Sequence, residues 1–422
     1  MQNQPAAGEF GPNRGPLSGI RVLDLTQALS GPFATYLLAG LGAEVIKIEN
    51  PKGGDFARHM PPFFGHGELA KVQRDDEDLS FGFMNRCRGK LGMALNLKSS
   101  EGVEVFLELV KTSHVVVENY ASGTANGLGI GYDVVRRVNP AIVYCSISGY
   151  GADQEIGRGS MDSIAQALSG VMLSGGHPED MPYRVGIPIA DTAAPLFGVM
   201  GVCAALVRAQ ATGEGDHVDV SMLGSLTTLV ASENWQASDR LGQEPRTGPR
   251  LTRLSPFGTY SCKDGYVSLA APNDRQAHAL MRAIGRPELI DTREFATVAT
   301  RAINDDALAA IIEEWAADYT AAEVVDILDA AGVPAAPVRS PLEALEDPRL
   351  HERGELTRAV TPQGTVLEDL ATYGMPIKLK NARGSVGRPA PLLGQHTDHV
   401  LGDIYGFDSD HVEGLRARGV IA

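Results

Sequence analysis

The sequence has little cysteine. Its 422 residues include only four, Cys87, Cys145, Cys203 and Cys262. They lie far apart, and no two have C-x-x-C spacing, which argues against both a zinc ribbon and a disulfide framework. Because reduced cysteines are typical of intracellular proteins, we expect a cytoplasmic location.

Several catalytic signatures are also missing. There is no G-x-x-x-x-G-K-[ST] loop for nucleoside triphosphates and no G-x-S-x-G nucleophile elbow. The turn after the first predicted strand reads TQALSGPFATYL (26–37) and lacks G-x-G-x-x-G. Without those glycines a pyrophosphate cannot approach the helix start closely, so we expect no tightly bound dinucleotide.

A positive charge excess and long apolar runs are absent as well. The formal net charge is −15, which argues against a nucleic-acid partner, because phosphate binding needs a basic face. The longest uncharged run, TAAPLFGVMGVCAALV (192–207), is shorter than the roughly 20 residues of a membrane span. We interpret it as a buried helix and expect no membrane partner.

One histidine-rich stretch could be mistaken for a metal site. It reads HTDH (396–399), near the end of the chain. Thr397 or Asp398 suits the cap of a final helix, and the other histidines follow no ligand spacing. We therefore expect no metal.

What the sequence does contain is a regular alternation of strands and helices. IRVLDLT (20–26) and AEVIKIEN (43–50) have the composition of strands, and FATYLLAGLG (33–42) between them has helical spacing. Such a β-α-β unit implies a parallel sheet. The alternation continues to HVDVSM (217–222), which predicts an α/β fold with a Rossmann-like large domain over residues 1–222.

A composition change follows this domain. Residues 223–254 become polar and end in EPRTGPRLTR, which is typical of a linker. PFGTYSCKDGYVSLAA (256–271) then has the pattern of a hairpin and opens a smaller α+β domain, predicted over 255–345. We expect residues 346–422 to return and complete the large domain.

Asp191 is the residue that most needs an explanation. It lies in IPIADTAAPLFG (187–198), a carboxylate among apolar residues with no basic neighbour in sequence. A buried carboxylate is costly unless it is hydrogen-bonded or functional. It either caps the helix that follows or takes part in chemistry, and in both cases the N–H groups of a helix start would lower its pKa.

Several stretches together resemble the class III CoA-transferases, the family of formyl-CoA:oxalate and carnitine CoA-transferases, which is related to the α-methylacyl-CoA racemases. The resemblance spans nearly the whole chain in the family's order and is looser in the small domain. Its main stretches are PLSGIRVLDLTQALSGPFATYLLAGLGAEVIKIENPKGGDFAR (16–58), VVVENYASGTANGLGIGY (115–132), NPAIVYCSISGYG (139–151), MDSIAQALSG (161–170), TGEGDHVDVSM (212–222) and PLLGQHTDHVL (391–401).

The resemblance implies an enzyme that moves CoA from an acyl-CoA donor to a carboxylic acid acceptor. In this interpretation CoA and acyl-CoA are substrates, and no cofactor is tightly bound. The family's nucleophilic aspartate aligns with Asp191, which would form a mixed anhydride and then an aspartyl-CoA thioester. The resemblance also implies an interlocked homodimer.

The resemblance also implies residues that contact CoA: Leu29, Ser30, Leu95, Asn119, Tyr120, Met161 and Met222. Arg58 matches a basic position of the family pattern, and Arg88, with Arg86 and Lys90, is a nearby candidate for the CoA phosphates. Two arginines of the formyl-CoA enzyme align with Asn50 and Gly127 here, and its glycine-rich loop has no counterpart around 246–258. We therefore expect a different acceptor acid, whose second carboxylate, if it has one, could bind Arg246, Arg250 and Arg253.

Two alternatives remain open at this point. The racemase branch has a histidine before the aspartate of MDSIAQAL, where this chain has Met161, and a thioether cannot transfer a proton. A CoA-binding homologue without catalytic activity is the other alternative. The sequence does not identify the donor acyl group, the acceptor acid or the oxyanion donors.

Overall fold

The computed structural model describes residues 15–154, 158–244, 246–382, 384 and 386–422. These residues form two compact units. The first contains the described residues up to Ser169, together with Val185–Leu229 and Leu345–Ala422. The second contains Gly170–Arg184 and Val230–Ala344.

A six-stranded sheet forms the centre of the first unit. All of its neighbouring strands pair in parallel, and their order across the sheet is Lys90–Ala94, Glu44–Glu49, Arg21–Asp24, Val115–Glu118, Val143–Ser148 and His217–Ser221. Numbered along the chain this order is 3-2-1-4-5-6, the Rossmann order, so the predicted α/β class is confirmed. Ligands of such sheets bind at the carboxyl edge, where the strand order reverses between Arg21–Asp24 and Val115–Glu118.

The helices of the first unit alternate with these strands, as the sequence predicts. They are Ser30–Gly40, Phe81–Arg86, Ser100–Val110, Thr124–Gly127, Tyr132–Val138, Asp162–Leu168, Ile189–Thr212, Met222–Val230, Pro348–Glu352 and Ser409–Ala417, with a short helix at Phe56–His59 and a π-helix at His399–Ile404. Short antiparallel strands extend the unit at Phe63–Gly65, Glu68–Ala70 and Leu79–Ser80, and at Leu356–Val360 paired with Val366–Tyr373.

The main core lies between the sheet and these helices. Leu23, Ile46 and Val116 of the sheet are fully buried in it. Leu401 and Leu415, from the last part of the chain, belong to the same cluster. The carboxyl-terminal segment therefore packs into the core of the large unit.

The second unit has its own core. Its strands Phe257–Cys262, Gly265–Ala270 and Ala335–Pro337 form an antiparallel sheet. Its helices are Trp235–Arg240, Asp274–Ala283, Val298–Ile303, Asp305–Ala316 and Ala321–Ala330, with single turns at Val171–Leu173, Thr252–Leu254 and Pro287–Asp291; Pro341–Leu345 lies at the boundary. The predicted hairpin is present, and the unit is α+β.

The boundaries of the units differ from the predicted ones in two places. The segment 223–254, predicted as a linker, contains most of the helix Met222–Val230 and the whole helix Trp235–Arg240. Residues 170–184, predicted in the large domain, belong to the second unit, where Arg246 donates hydrogen bonds to backbone carbonyls of this segment. The composition of a segment shows only that it is polar. The compact unit to which a loop belongs is decided by long-range contacts such as these hydrogen bonds.

The predicted cap at HTDH is wrong. The Thr397 hydroxyl accepts a hydrogen bond from the Ala94 N–H at 3.2 Å, which ties this segment to the sheet. Asp398 makes no capping bond, and the final helix is capped instead by the Asp408 side chain. The tertiary contact with the strand outweighs the local preference for capping.

The helix Ile189–Thr212, called the long helix below, is the one described helix that is long and apolar enough to cross a membrane. Half of its most apolar stretch is nevertheless buried in the protein. The prediction of a buried helix therefore holds for one face. The other face exposes Leu196, Met200 and Val207 by 56%, 61% and 68%.

Four buried charges lie beneath the turn that follows the first strand. Lys90 Nζ contacts Asp24 Oδ2 at 2.9 Å, and Lys47 Nζ contacts Asp55 Oδ2 at 3.1 Å, with all four side chains inaccessible to solvent. Lys47 also donates to the Thr26 carbonyl at 2.7 Å. Because each charge has an opposite partner, the cluster fixes the turn without leaving a buried charge unpaired.

Removal of one of these cations should destabilise the fold. In Lys47→Met, Asp55 is left as a buried carboxylate without its cation, so we expect the free energy of unfolding to fall by about 3 kcal/mol. Urea denaturation measures this value. Lys111→Met is the matched control, because Lys111 pairs with Glu108 on the exposed surface, and it should lose less than about 0.5 kcal/mol. Equal losses in the two variants would contradict this role of the cluster.

Candidate active site

Asp191 lies at the carboxyl edge of the parallel sheet. The long helix leads into the strand His217–Ser221, so it runs antiparallel to that strand and begins at the carboxyl edge. Asp191 is in its first turn. The helix Ser30–Gly40, which begins at the same edge, packs against the long helix.

Asp162, which belongs to a different helix, caps the start of the long helix. Its Oδ1 accepts hydrogen bonds from the N–H groups of Ala190 at 2.8 Å and Asp191 at 3.4 Å. Its Oδ2 accepts from the buried Gln166 side chain at 2.7 Å. The capping interpretation therefore applies to Asp162 rather than to Asp191, whose carboxylate has no hydrogen bond to the described part of the chain.

The pKa of Asp191 is shifted upwards, whereas the sequence predicted a lowered value. Burial, together with the negative charge of Asp162, raises its pKa to about 6, and only Arg86 acts in the opposite direction. The expected lowering by the helix start is absent because Asp162 already accepts the N–H groups there. At neutral pH Asp191 is mostly ionised but poorly solvated, which suits a nucleophile.

Arg86 connects this carboxylate to the turn after the first strand. Its guanidinium donates to the Ala28 carbonyl at 2.7 Å and to the Gly82 carbonyl at 2.9 Å. Ala28 has a φ of 64°, in the left-handed region that a residue with a side chain rarely adopts. Its N–H donates to Asp55 at 3.0 Å, so a cation and a carboxylate hold this turn from both sides.

The switch point of the sheet brings together three of the predicted CoA-contacting residues. Asn119 accepts a hydrogen bond from the Gln27 N–H at 2.7 Å and donates one to the Gln27 carbonyl at 2.9 Å. Leu29 and Ser30 follow at the start of the next helix. The Ser30 hydroxyl is buried and has no hydrogen-bond partner among the described residues, and such a group is one that a ligand can satisfy.

The other predicted CoA contacts differ in how exposed they are to solvent. Leu95 and Met222 lie at the same edge but are 1% and 7% exposed. Tyr120 is partly buried against the main core. Met161, directly before Asp162, is 65% exposed, so a substrate could reach its thioether.

The two predicted phosphate ligands are already engaged. Arg58 makes a bidentate pair with Glu49 at 2.7 and 2.8 Å, and its guanidinium lies over the Phe83 ring. Arg88 is 3% exposed and donates to the Tyr373 carbonyl at 2.5 Å. These partners argue against a phosphate role for either residue, because a buried, paired guanidinium has little left to offer an anion.

The three arginines considered for a second carboxylate also have partners. Arg246 binds backbone carbonyls, Arg250 pairs with Asp305 at 2.8 Å, and Arg253 pairs with Glu233 at 2.7 Å. The structure therefore does not support the hypothesis that they receive the acceptor acid.

One group of side chains in the described ranges has the spacing of metal ligands: His66, Asp75 and Asp78. Asp78 is held by Arg74 at 2.8 Å through both of its carboxylate oxygens. His66 already contacts Asp75 at 2.9 Å. Because these ligand atoms already bind protein partners, we do not assign a metal ion to this group.

The chain matches known proteins over most of its length. Residues 17–397 match CoA-transferase family III. The chain is 36% identical over 400 residues to succinyl-CoA:mesaconate CoA-transferase of Haloarcula marismortui, covering 94% of this chain and 98% of that one. It is 32% identical over 410 residues to the human succinyl-CoA:glutarate CoA-transferase, covering 96% and 90%. A crystal structure of a CAIB/BAIF family protein from Brucella suis superposes with a TM-score of 0.79 at 29% identity, covering 93% of this chain and 100% of that one.

The chain belongs to CoA-transferase family III. It is an enzyme of this class, as the resemblance implies, and enzymes of the class use CoA thioesters as substrates. The parallel sheet, its switch point and the position of Asp191 are the features of the chain on which a mechanism can be built.

Replacement of Asp191 should stabilise the protein. Because its pKa is about 6 in the folded chain and near 3.8 in the unfolded chain, the wild type loses stability as the pH rises from about 4 to 6. We expect Asp191→Asn to raise the free energy of unfolding by roughly 1–2 kcal/mol near pH 8 and by less near pH 5.

Thermal and urea unfolding at the two pH values measure this difference. Asp410→Asn is the matched control, since Asp410 also lies in the first turn of a helix but is exposed. It should change stability by less than about 0.5 kcal/mol at both pH values. An Asp191→Asn variant that is less stable than the wild type would show that the carboxylate is structural.

Proposed function

We propose that the chain transfers CoA from an acyl-CoA donor to a carboxylic acid through a covalent thioester on Asp191. The observation that carries this proposal is the half-buried Asp191 carboxylate, which lacks a hydrogen bond within the described ranges and lies at the edge where such sheets bind ligands. The names of the similar enzymes support the overall reaction.

The first half-reaction consumes the donor. An oxygen of Asp191 attacks the thioester carbonyl carbon, the carbon–sulfur bond breaks, and CoA leaves as a thiolate with a mixed anhydride left on Asp191. The thiolate then attacks the aspartyl carbonyl carbon of that anhydride. The donor acid leaves as a carboxylate, and Asp191 carries CoA as a thioester.

The second half-reaction runs these steps in the reverse order with the acceptor. The acceptor carboxylate attacks the aspartyl thioester, CoA leaves as a thiolate, and a new mixed anhydride forms. The thiolate then attacks the acceptor's acyl carbon and releases Asp191. No net proton, metal or nucleotide is needed. The Asp162–Gln166 pair holds the start of the long helix throughout, which keeps Asp191 at one place.

The substrates are short dicarboxylic acids in this proposal. Similar enzymes are named for succinyl-CoA with mesaconate and for succinyl-CoA with glutarate. Another is named for acetyl-CoA with oxalate. All of these names contain a dicarboxylic acid, and we extend that class, without one particular acid, to this chain.

A second copy of the chain covers the exposed face of the long helix in this proposal. Leu196, Met200, Cys203 and Val207 recur at helical spacing and form an apolar stripe. Since the opposite side of the helix is buried in its own unit, the helix cannot enter a membrane without unfolding that unit. A homodimer, as the family resemblance implies, covers the stripe, and we assign the enzyme to the cytoplasm.

Hydroxylamine should trap the intermediate on Asp191. Incubation with succinyl-CoA and hydroxylamine should convert Asp191 to a hydroxamate, because hydroxylamine attacks an activated aspartyl carbonyl. Mass spectrometry of peptides locates the modification. Asp191→Asn should lose transfer by at least roughly 10³-fold and give no hydroxamate, whereas Asp410→Asn should behave as the wild type.

The same assay separates the alternatives. Exchange of the α-proton with deuterated water and no hydroxamate would indicate a racemase. Binding of CoA with neither reaction would indicate a protein without catalytic activity. Either result would contradict the proposed transfer.

Disruption of the apolar stripe should prevent the dimer from assembling. Met200→Asp places a charge in the proposed interface, so sedimentation velocity should show a dimer for the wild type and a monomer for the variant. Val72→Asp is the matched control, because Val72 is 73% exposed and lies outside the stripe. A wild-type monomer, or a dimer in Met200→Asp, would contradict this assignment.

A further inference from the structure

Arg86 differs in its partners from the other basic residues near the turn that follows the first strand. Lys47, Lys90 and Arg58 each form an ion pair with a carboxylate, and Arg88 is only 3% exposed. Arg86 is partly exposed and forms no ion pair with the described residues. Of these five residues, Arg86 is therefore the one best able to bind an anion.

Two backbone carbonyls hold the Arg86 guanidinium in place. Its Nη1 donates to the Ala28 carbonyl at 2.7 Å, and its Nε donates to the Gly82 carbonyl at 2.9 Å. Nη2 makes no hydrogen bond to the described part of the chain and lies over Gly82, where an added Cβ would be 2.1 Å from it. The guanidinium is thus fixed while its Nη2 N–H groups remain available, and such groups bind carboxylates.

Arg86 and Asp191 lie on two sides of a gap at the carboxyl edge of the sheet. The Ala28 turn leads into the helix Ser30–Gly40, which packs against the long helix that carries Asp191. Because Arg86 and Asp191 form no ion pair, the guanidinium nitrogens are more than 4.0 Å from the carboxylate oxygens. Arg86 is nevertheless the cation that lowers the pKa of Asp191. The two groups are therefore neighbours with space between them.

A dicarboxylic substrate needs a cation in this space. Its reacting end must reach Asp191, and Asp162, which binds the Asp191 N–H, adds a second negative charge there. The other carboxylate of the substrate would be repelled unless a positive group received it. Short methylene chains separate the two carboxylates of succinate and of glutarate, so the second carboxylate stays close to the reacting one. The phosphates of CoA lie far from its sulfur and do not compete for this position.

We propose that Arg86 binds the second carboxylate of a short dicarboxylic substrate while the first carboxylate reacts at Asp191. The inference rests on the proposed transfer through Asp191 and assigns the preference for dicarboxylic acids to one side chain. Arg86 takes the role that the sequence suggested for three other arginines, all of which have protein partners: Arg246, Arg250 and Arg253.

A competition between two acceptors tests the proposal. Glutarate and pentanoate have carbon chains of the same length, but pentanoate lacks the second carboxylate. When both are supplied at equal concentration with succinyl-CoA, the initial ratio of glutaryl-CoA to pentanoyl-CoA, measured by mass spectrometry, gives the ratio of their kcat/KM values. We expect the full-length wild type to favour glutarate at least roughly tenfold, and Arg86→Met to reduce this preference at least roughly tenfold. Arg275→Met, at an exposed position of the helix Asp274–Ala283, should keep the wild-type ratio.

A second variant keeps the test decisive if Arg86→Met does not fold. Gly82→Ala retains Arg86 but places a methyl group where Nη2 lies, so the guanidinium must shift, and the preference for glutarate should fall at least roughly threefold. Equal use of the two acceptors by the wild type would overturn the proposal. An unchanged ratio in the folded variants would also overturn it, because an effect of Arg86 on Asp191 or on the fold alone slows both acceptors equally. Transfer to neither acceptor by the wild type would contradict the proposed function, and this inference with it.

Discussion

The contact between Asp162 and the first N–H groups of the long helix is the interaction on which the site depends. Without Asp162, the first N–H groups of the long helix would be bound by the helix's own first acidic residue, Asp191. Asp191 would then be a cap with a lowered pKa. Because Asp162 supplies the cap from another helix, the carboxylate of Asp191 remains half-buried and free of hydrogen bonds within the described chain. The structure thus separates the two roles of an acidic residue at a helix start and assigns them to different residues.

The surrounding scaffold keeps this arrangement rigid. The buried pairs of Lys47 with Asp55 and Lys90 with Asp24 lie under the turn that holds Ala28 in a left-handed conformation. Arg86 binds the carbonyl of that same turn and is the cation that acts on Asp191. The strained turn, the buried charges and Asp191 therefore belong to one connected region at the carboxyl edge of the sheet.

Most of the fold could be predicted from the sequence, because its local signals agree with the tertiary structure. The β-α alternation and the hairpin at 256–271 both form as predicted. The partners of charged residues could not be predicted in this way. Arg88 binds the carbonyl of Tyr373, 285 residues away, and Asp162 binds the N–H of Ala190, 28 residues away. Such contacts decided which basic residues remain open to a ligand and where the compact units divide.

The most direct test of the account follows the oxygen atoms of Asp191. In the proposed mechanism, an acceptor acid labelled with the heavy isotope of oxygen attacks the aspartyl thioester, and the later cleavage of the anhydride leaves one labelled oxygen on Asp191. The account predicts that, after turnover with labelled acceptor, the peptide containing Asp191 gains first one and then a second heavy oxygen. Rapid transfer to the labelled acceptor with no heavy oxygen in that peptide would contradict a covalent role for Asp191.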